Sequence, residues 1–119
     1  MALRSKTCEM DVPGEAGQVF EVVLAVVQDL GWRLDESDGS PGVIRCSVPS
    51  TYPKSYGETV DIVVTGATAE NSSIAMKSTI KPPMALDTFS VNRKNVERFQ
   101  AAVGAALGAG GADQSASTS

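Results

Sequence analysis

Apolar and polar residues alternate from Ser5 to Val12, so that Cys8, Met10 and Val12 share one face and Thr7, Glu9 and Asp11 the other. A period of two predicts a strand with one wet side. Pro13 and Gly14 interrupt it, and the period then changes: Val19, Val22, Val23, Val26, Val27 and Leu30 recur at the spacing of one helical face. Valine is a mediocre helix former because its branched β-carbon restricts χ1, so this helix must be stabilised by burial against a sheet. Gly31 follows directly and suits the left-handed position that ends a helix.

Alternation resumes at Trp32 and Leu34, set against Arg33 and Asp35. The segment Asp38-Gly39-Ser40-Pro41-Gly42 supplies turn chemistry, and Val43 to Val48 is extended again, predicting a hairpin. On its second arm Ile44, Cys46 and Val48 point one way, and Arg45 and Ser47 point towards solvent. Pro49 to Gly57 holds two prolines and two tyrosines without apolar alternation and reads as a loop. Thr59 to Thr65 follows as a strand with Val60, Ile62 and Val64 inward. A turn over 69–72 leads into a last strand to Ile80, with Ile74, Met76, Ser78 and Ile80 on one face. Two prolines after Lys81 remove successive backbone donors and stop that strand. From about Ser90, Val96, Phe99, Val103, Ala106 and Leu107 repeat at helical spacing, with Asp87 or Ser90 available as the cap.

The predicted order is therefore β-α-β-β-β-β-α. Single-faced strands joined by hairpins favour an antiparallel sheet of about five strands, and two amphipathic helices need one face of it to cover. The expected fold class is α+β, with one domain over residues 1–107 and a disordered Gly/Ala/Ser-rich tail over 108–119. Whether the first two strands are neighbours or opposite edges is open from the sequence.

A chain of 119 residues with 42% apolar content can close one core. It contains no apolar run long enough to span a bilayer, and its first thirty residues lack the order of a secretory leader. As given, the chain is expected in the cytoplasm; an envelope location would imply that a leader has been removed. The net charge of −4 is unevenly spread. Residues 1–75 carry eleven acids and five bases, whereas 76–107 carry Lys77, Lys81, Arg93, Lys94 and Arg98 against Asp87 and Glu97. That patch is small beside the basic fields of nucleic-acid binders, so no nucleic-acid partner is expected.

The absence of histidine removes the commonest general base, metal ligand and partner of a nucleophilic serine or cysteine. Asp35, Glu36 and Asp38 are clustered beside a turn, where acids are ordinarily solvated. Cys8 and Cys46 share strand faces with apolar residues and show no metal-ligand spacing, so they are expected to be inert core thiols. Whether they pair depends on a strand order that the sequence leaves open. No cofactor, metal or catalytic residue is expected.

Two segments remain as candidate binding surfaces. Tyr52 and Tyr56 in the long loop offer amphipathic contact area. The stretch from Lys77 to Arg98 could bring Lys77, Lys81, Arg93 and Arg98 together near a helix N-terminus, which favours an anion or an acidic partner.

The stretches "LGWRLDESDGSPGVIRCSV", "GETVDIVV", "IAMKSTI" and "DTFSVNRKNVERFQAAV" also resemble an uncharacterised bacterial domain-of-unknown-function family of small α+β, envelope-associated domains. The likeness covers roughly residues 15 to 103, and it matches Ser78, Asp87, Asn92, Arg93 and Val96 to the family's Ser, Asp, Asn and Arg-containing motifs before the last helix. The resemblance implies an architecture and no activity.

Taken together, these features favour a non-catalytic binding or assembly module using Tyr52, Tyr56, Lys77, Lys81, Asp87, Asn92, Arg93 and Arg98, with a protein partner or a small anionic or amphipathic ligand. The alternative is a small-molecule carrier or metal-free enzyme with a pocket between sheet and last helix, lined by Met76, Met84 and Phe99.

Overall fold

The computed structural model describes residues 5–50, 56–82, 87 and 90–107, so the tail expected over 108–119 lies outside the described residues. The chain runs β1 (Ser5–Pro13), α1 (Ala16–Asp29), β2 (Arg33–Asp38), β3 (Val43–Val48), β4 (Glu58–Gly66), β5 (Asn71–Ile80) and α2 (Val91–Leu107). The strands form one sheet in the order β1-β5-β4-β3-β2, with every neighbouring pair antiparallel. Strands β1 and β2 are thus the two opposite edges.

Helix α1 starts where the Glu15 carboxylate accepts from the Gln18 backbone N–H at 2.9 Å, and it ends before Gly31, whose φ of 79° reverses the chain. Val19, Val23, Val26 and Val27 are all buried along its inner face. Each buried valine contributes about 1.5 kcal/mol or more, which outweighs the loss in helix propensity of at most about 0.7 kcal/mol. Both helices pack on the same side of the sheet, on the face carrying Ile44, Cys46, Val60, Ile62, Ile74 and Met76. Phe99 of α2 completes this core by stacking on Trp32, with ring centroids 6.4 Å apart.

The strand order settles the cysteines. Cys8 in β1 and Cys46 in β3 are separated by β5 and β4, about 14 Å at the usual spacing of strands, which is too far for a disulfide. Burial pushes the Cys8 thiol up to about 11 and the Cys46 thiol up to about 12.

Two local departures from simple alternation matter for the site. In the β2–β3 pair, Leu34 faces Cys46 but Glu36 faces Arg45, so Asp35 is the extra residue of a bulge. Ser47, expected on the wet face, is instead only 7% exposed. The side chains gathered over it explain why.

Candidate functional site

A cleft of about 320 Å³ opens at the end of the sheet where β3 leaves, β4 begins and β5 ends. It is lined by Arg33, Ser47, Val48, Pro49, Ser50, Tyr56 and Lys81. The register places Arg33 opposite Ser47 on the face of the sheet away from the helices. Lys81, the residue after β5, reaches the same point: its Nζ donates to Ser47 Oγ at 3.1 Å. Arg33 Nη2 approaches that oxygen at 3.5 Å.

Ser47 spends its own proton on Asp35, donating to Oδ2 at 2.5 Å, and so presents only acceptor capacity to the two cations. Asp35 also accepts from Arg33 Nε at 2.9 Å. The hydrogen bond from Ser47 holds the Asp35 carboxyl below its ordinary value; partial desolvation opposes this, and Arg33 and Lys81 reinforce it. The group is two cations around one carboxylate, with one positive charge in excess.

The lip of the cleft depends on Gly57, at φ 110°, where an added β-carbon would lie 2.8 Å from the Val48 carbonyl oxygen. The Gly57 carbonyl in turn accepts from the Lys81 backbone N–H at 3.1 Å and ties the end of β5 to the start of β4. Tyr56, 46% exposed, is thereby held on the rim.

On the other face of the same sheet end lies a second, closed polar group. Glu58, Ser78, Asn92 and Asn95 are all at most 2% exposed. Asn95 Nδ2 donates to Glu58 Oε1 at 2.7 Å and to Ser78 Oγ at 3.3 Å, and Ser78 Oγ donates to Asn92 Oδ1 at 2.8 Å. Asp87 caps α2 by accepting from the backbone N–H groups of Val91 at 2.8 Å and Asn92 at 2.7 Å. Trp32, stacked on Phe99, is 4% exposed, and its Nε1 has no hydrogen-bond partner among the described residues.

The residues expected to form one binding surface are distributed among these places. Tyr56 and Lys81 line the cleft, whereas Asp87 and Asn92 belong to the buried group and its cap. Lys77 stands on the open face, opposite Asp61. Arg93 is exposed on α2, on the other side of the sheet. Arg98 is also on α2, lying 5.9 Å over the Trp32 ring and donating to the Leu30 carbonyl at 3.3 Å. The expected single basic surface of Lys77, Lys81, Arg93 and Arg98 is therefore corrected: alternate residues of β5 face opposite ways, and the sheet separates the lysines from the arginines. Tyr52 and Met84 lie outside the described residues; Met76 and Phe99 are packed into the core.

The polar residues of these groups that were missed in the sequence include Arg33, Asp35, Ser47, Ser50, Glu58 and Asn95. Glu58 falls in phase with the inward Val60, Ile62 and Val64, and Asn95 in phase with Asn92 and Phe99, so a polar residue at an apolar position was the available signal. Ser47 gave none, because the side chains gathered over it, Arg33, Asp35 and Lys81, come from 14, 12 and 34 residues away.

Among the described residues no three potential metal ligands converge, and no helix is long and apolar enough to cross a membrane. No family model and no curated protein matches the sequence. Solved structures do match the fold. The protein XoxI from Bacillus cereus is 14% identical with a TM-score of 0.65, covering 88% of this chain and 96% of its own. The di-domain aromatase/cyclase BexL of the BE-7585A biosynthetic pathway gives 13% identity and a TM-score of 0.70, over 92% of this chain and 48% of that one. A START superfamily protein from Mycobacterium smegmatis gives 7% identity and 0.56, over 87% and 97%. The chain shares with these structures an α+β fold, here a five-stranded antiparallel sheet covered on one face by two helices.

Proposed function

We propose that this protein is a non-catalytic, small-molecule-binding domain whose ligand sits in the cleft of Arg33, Ser47, Ser50, Tyr56 and Lys81. The observation that carries this reading is the convergence of Arg33 and Lys81 on one hydroxyl inside an open cleft. A volume of about 320 Å³ is at the lower end of small-molecule sites, and its mixture of an aromatic ring, a proline and a few directed polar groups is typical of them. Solved proteins of the same fold include an aromatase/cyclase and a START superfamily member, which supports a ligand-binding role in preference to an assembly module. The basic surface that favoured assembly is divided between the two sides of the sheet.

The test is native mass spectrometry of gently purified protein beside a Tyr56→Ala/Lys81→Gln variant. A reproducible added mass on the monomer that the variant loses is the expected result. An added mass indifferent to both substitutions would put the ligand elsewhere and refute this site.

A further inference from the structure

We infer that the ligand is a small organic oxyanion, a phosphomonoester or carboxylate carried on an apolar or aromatic body, with its anionic group held between Arg33 and Lys81. This inference rests on the cleft being the ligand site. Its first support is the donor inventory. Lys81 Nζ has three donors and directs one at Ser47; Arg33 has five, with Nε on Asp35 and one Nη2 contact to Ser47. Among the described residues most of the donor capacity of these two cleft-lining cations is therefore not taken up by the protein.

The second support is how the two cations are held. The bulge at Asp35 turns its carboxylate onto Arg33 and Ser47, and both of its oxygens are engaged there. Asp35 thus fixes the Arg33 fork while leaving the group one positive charge in excess. A carboxylate matches that excess and a phosphomonoester exceeds it by up to about one charge; either makes charge-assisted hydrogen bonds, the stronger kind. A cationic ligand would meet two like charges, and a neutral one would leave that excess unanswered.

The third support is the shape of the rest of the cleft. Pro49 and the half-exposed ring of Tyr56 line it beside the charges, so the anionic group is expected to carry an apolar or planar part. Inorganic phosphate alone would bring nothing apolar to Pro49 and the Tyr56 ring.

The experiment is a ¹H–¹⁵N NMR titration of the full chain with phenyl phosphate, benzoate, benzyl alcohol and inorganic phosphate. Expected are amide shifts at Arg33, Ser47, Ser50, Tyr56 and Lys81 with phenyl phosphate or benzoate, the tighter of the two naming the anionic group. Benzyl alcohol and inorganic phosphate should each bind roughly tenfold more weakly or worse. Arg33→Gln and Lys81→Gln, both at solvent-accessible positions, should each weaken the aryl anion by roughly tenfold while the remaining spectrum keeps its folded dispersion. Benzyl alcohol binding the same amides as tightly, or affinity unchanged in both variants, would overturn the anionic inference and leave the cleft as a ligand site. Inorganic phosphate matching phenyl phosphate would overturn the apolar body. Shifts confined to other residues, or none at millimolar aryl anion, would overturn the inference and the site together.

Discussion

The side-chain amide of Asn95 donates to Glu58 Oε1 at 2.7 Å across the interface of α2 and the sheet, where neither residue is more than 2% exposed. A carboxyl group in that position is tolerable only when a donor answers it, so the pair fixes where the first turns of α2 sit. Asn95→Ala is expected to cost about 2–3 kcal/mol, the penalty of a buried polar group that loses a donor. Urea unfolding of Asn95→Ala, Glu58→Gln and the double variant measures it. The Asn95→Ala and Glu58→Gln losses should fall short of additivity by about 0.5 kcal/mol or more, as for residues in direct contact.

Asp35 sets a pH dependence whose sign is fixed by its neighbours. Its folded carboxyl gives up its proton below the ordinary value of 3.8, chiefly because Ser47 donates to it. Its contacts therefore stabilise the fold above that value and are lost as pH falls through the lower, folded one. Ser47→Ala should move the Asp35 midpoint upward, towards 3.8. A ¹³C carboxyl titration of both proteins reads the shift, and an unmoved midpoint would contradict the assignment to Ser47.

How much of this was legible beforehand depends on the range of the interaction. The valines of α1 and the inward rows of β4 and β5 are local periodicities, and the structure follows them closely. The cap by Asp87 was legible for the same reason, since it lies four residues before Val91. The separation of Lys77 from Arg93 was also readable from strand parity, because the inward Ser78 forces Lys77 outward. The cleft was not. It needs the β2–β3 register, the bulge at Asp35 and the docking of Lys81 from β5, none of which a local pattern encodes.

The thiols should behave as core groups. With Cys8 pushed up to about 11 and Cys46 to about 12, each is almost wholly protonated at pH 8. Iodoacetamide at that pH should add little mass to native protein and two adducts after unfolding. Within the native protein Cys8, only partly buried, should react before Cys46.

Gly57 is expected to be the most sensitive backbone position at the cleft. Ala there must hold φ near 110° with its β-carbon 2.8 Å from the Val48 carbonyl oxygen, a strain on the order of 1–3 kcal/mol. Gly57→Ala should lower the urea midpoint and shift the amides of Tyr56 and Lys81. It should also weaken aryl-anion binding without removing either cation. Retained affinity together with lowered stability would show that the lip is structural only.

Helix α2 begins beside the cleft end of the sheet, where Asn92 meets Ser78, and its 17 residues then carry the chain away. At about 1.5 Å per residue, Leu107 lies about 24 Å further along the axis than Val91. The two ends of the helix therefore stand at different distances from the proposed cleft. A surface attachment joined after Leu107 would start about 24 Å along the helix axis from the end that meets Ser78, a separation of use when the immobilised protein is screened for ligands.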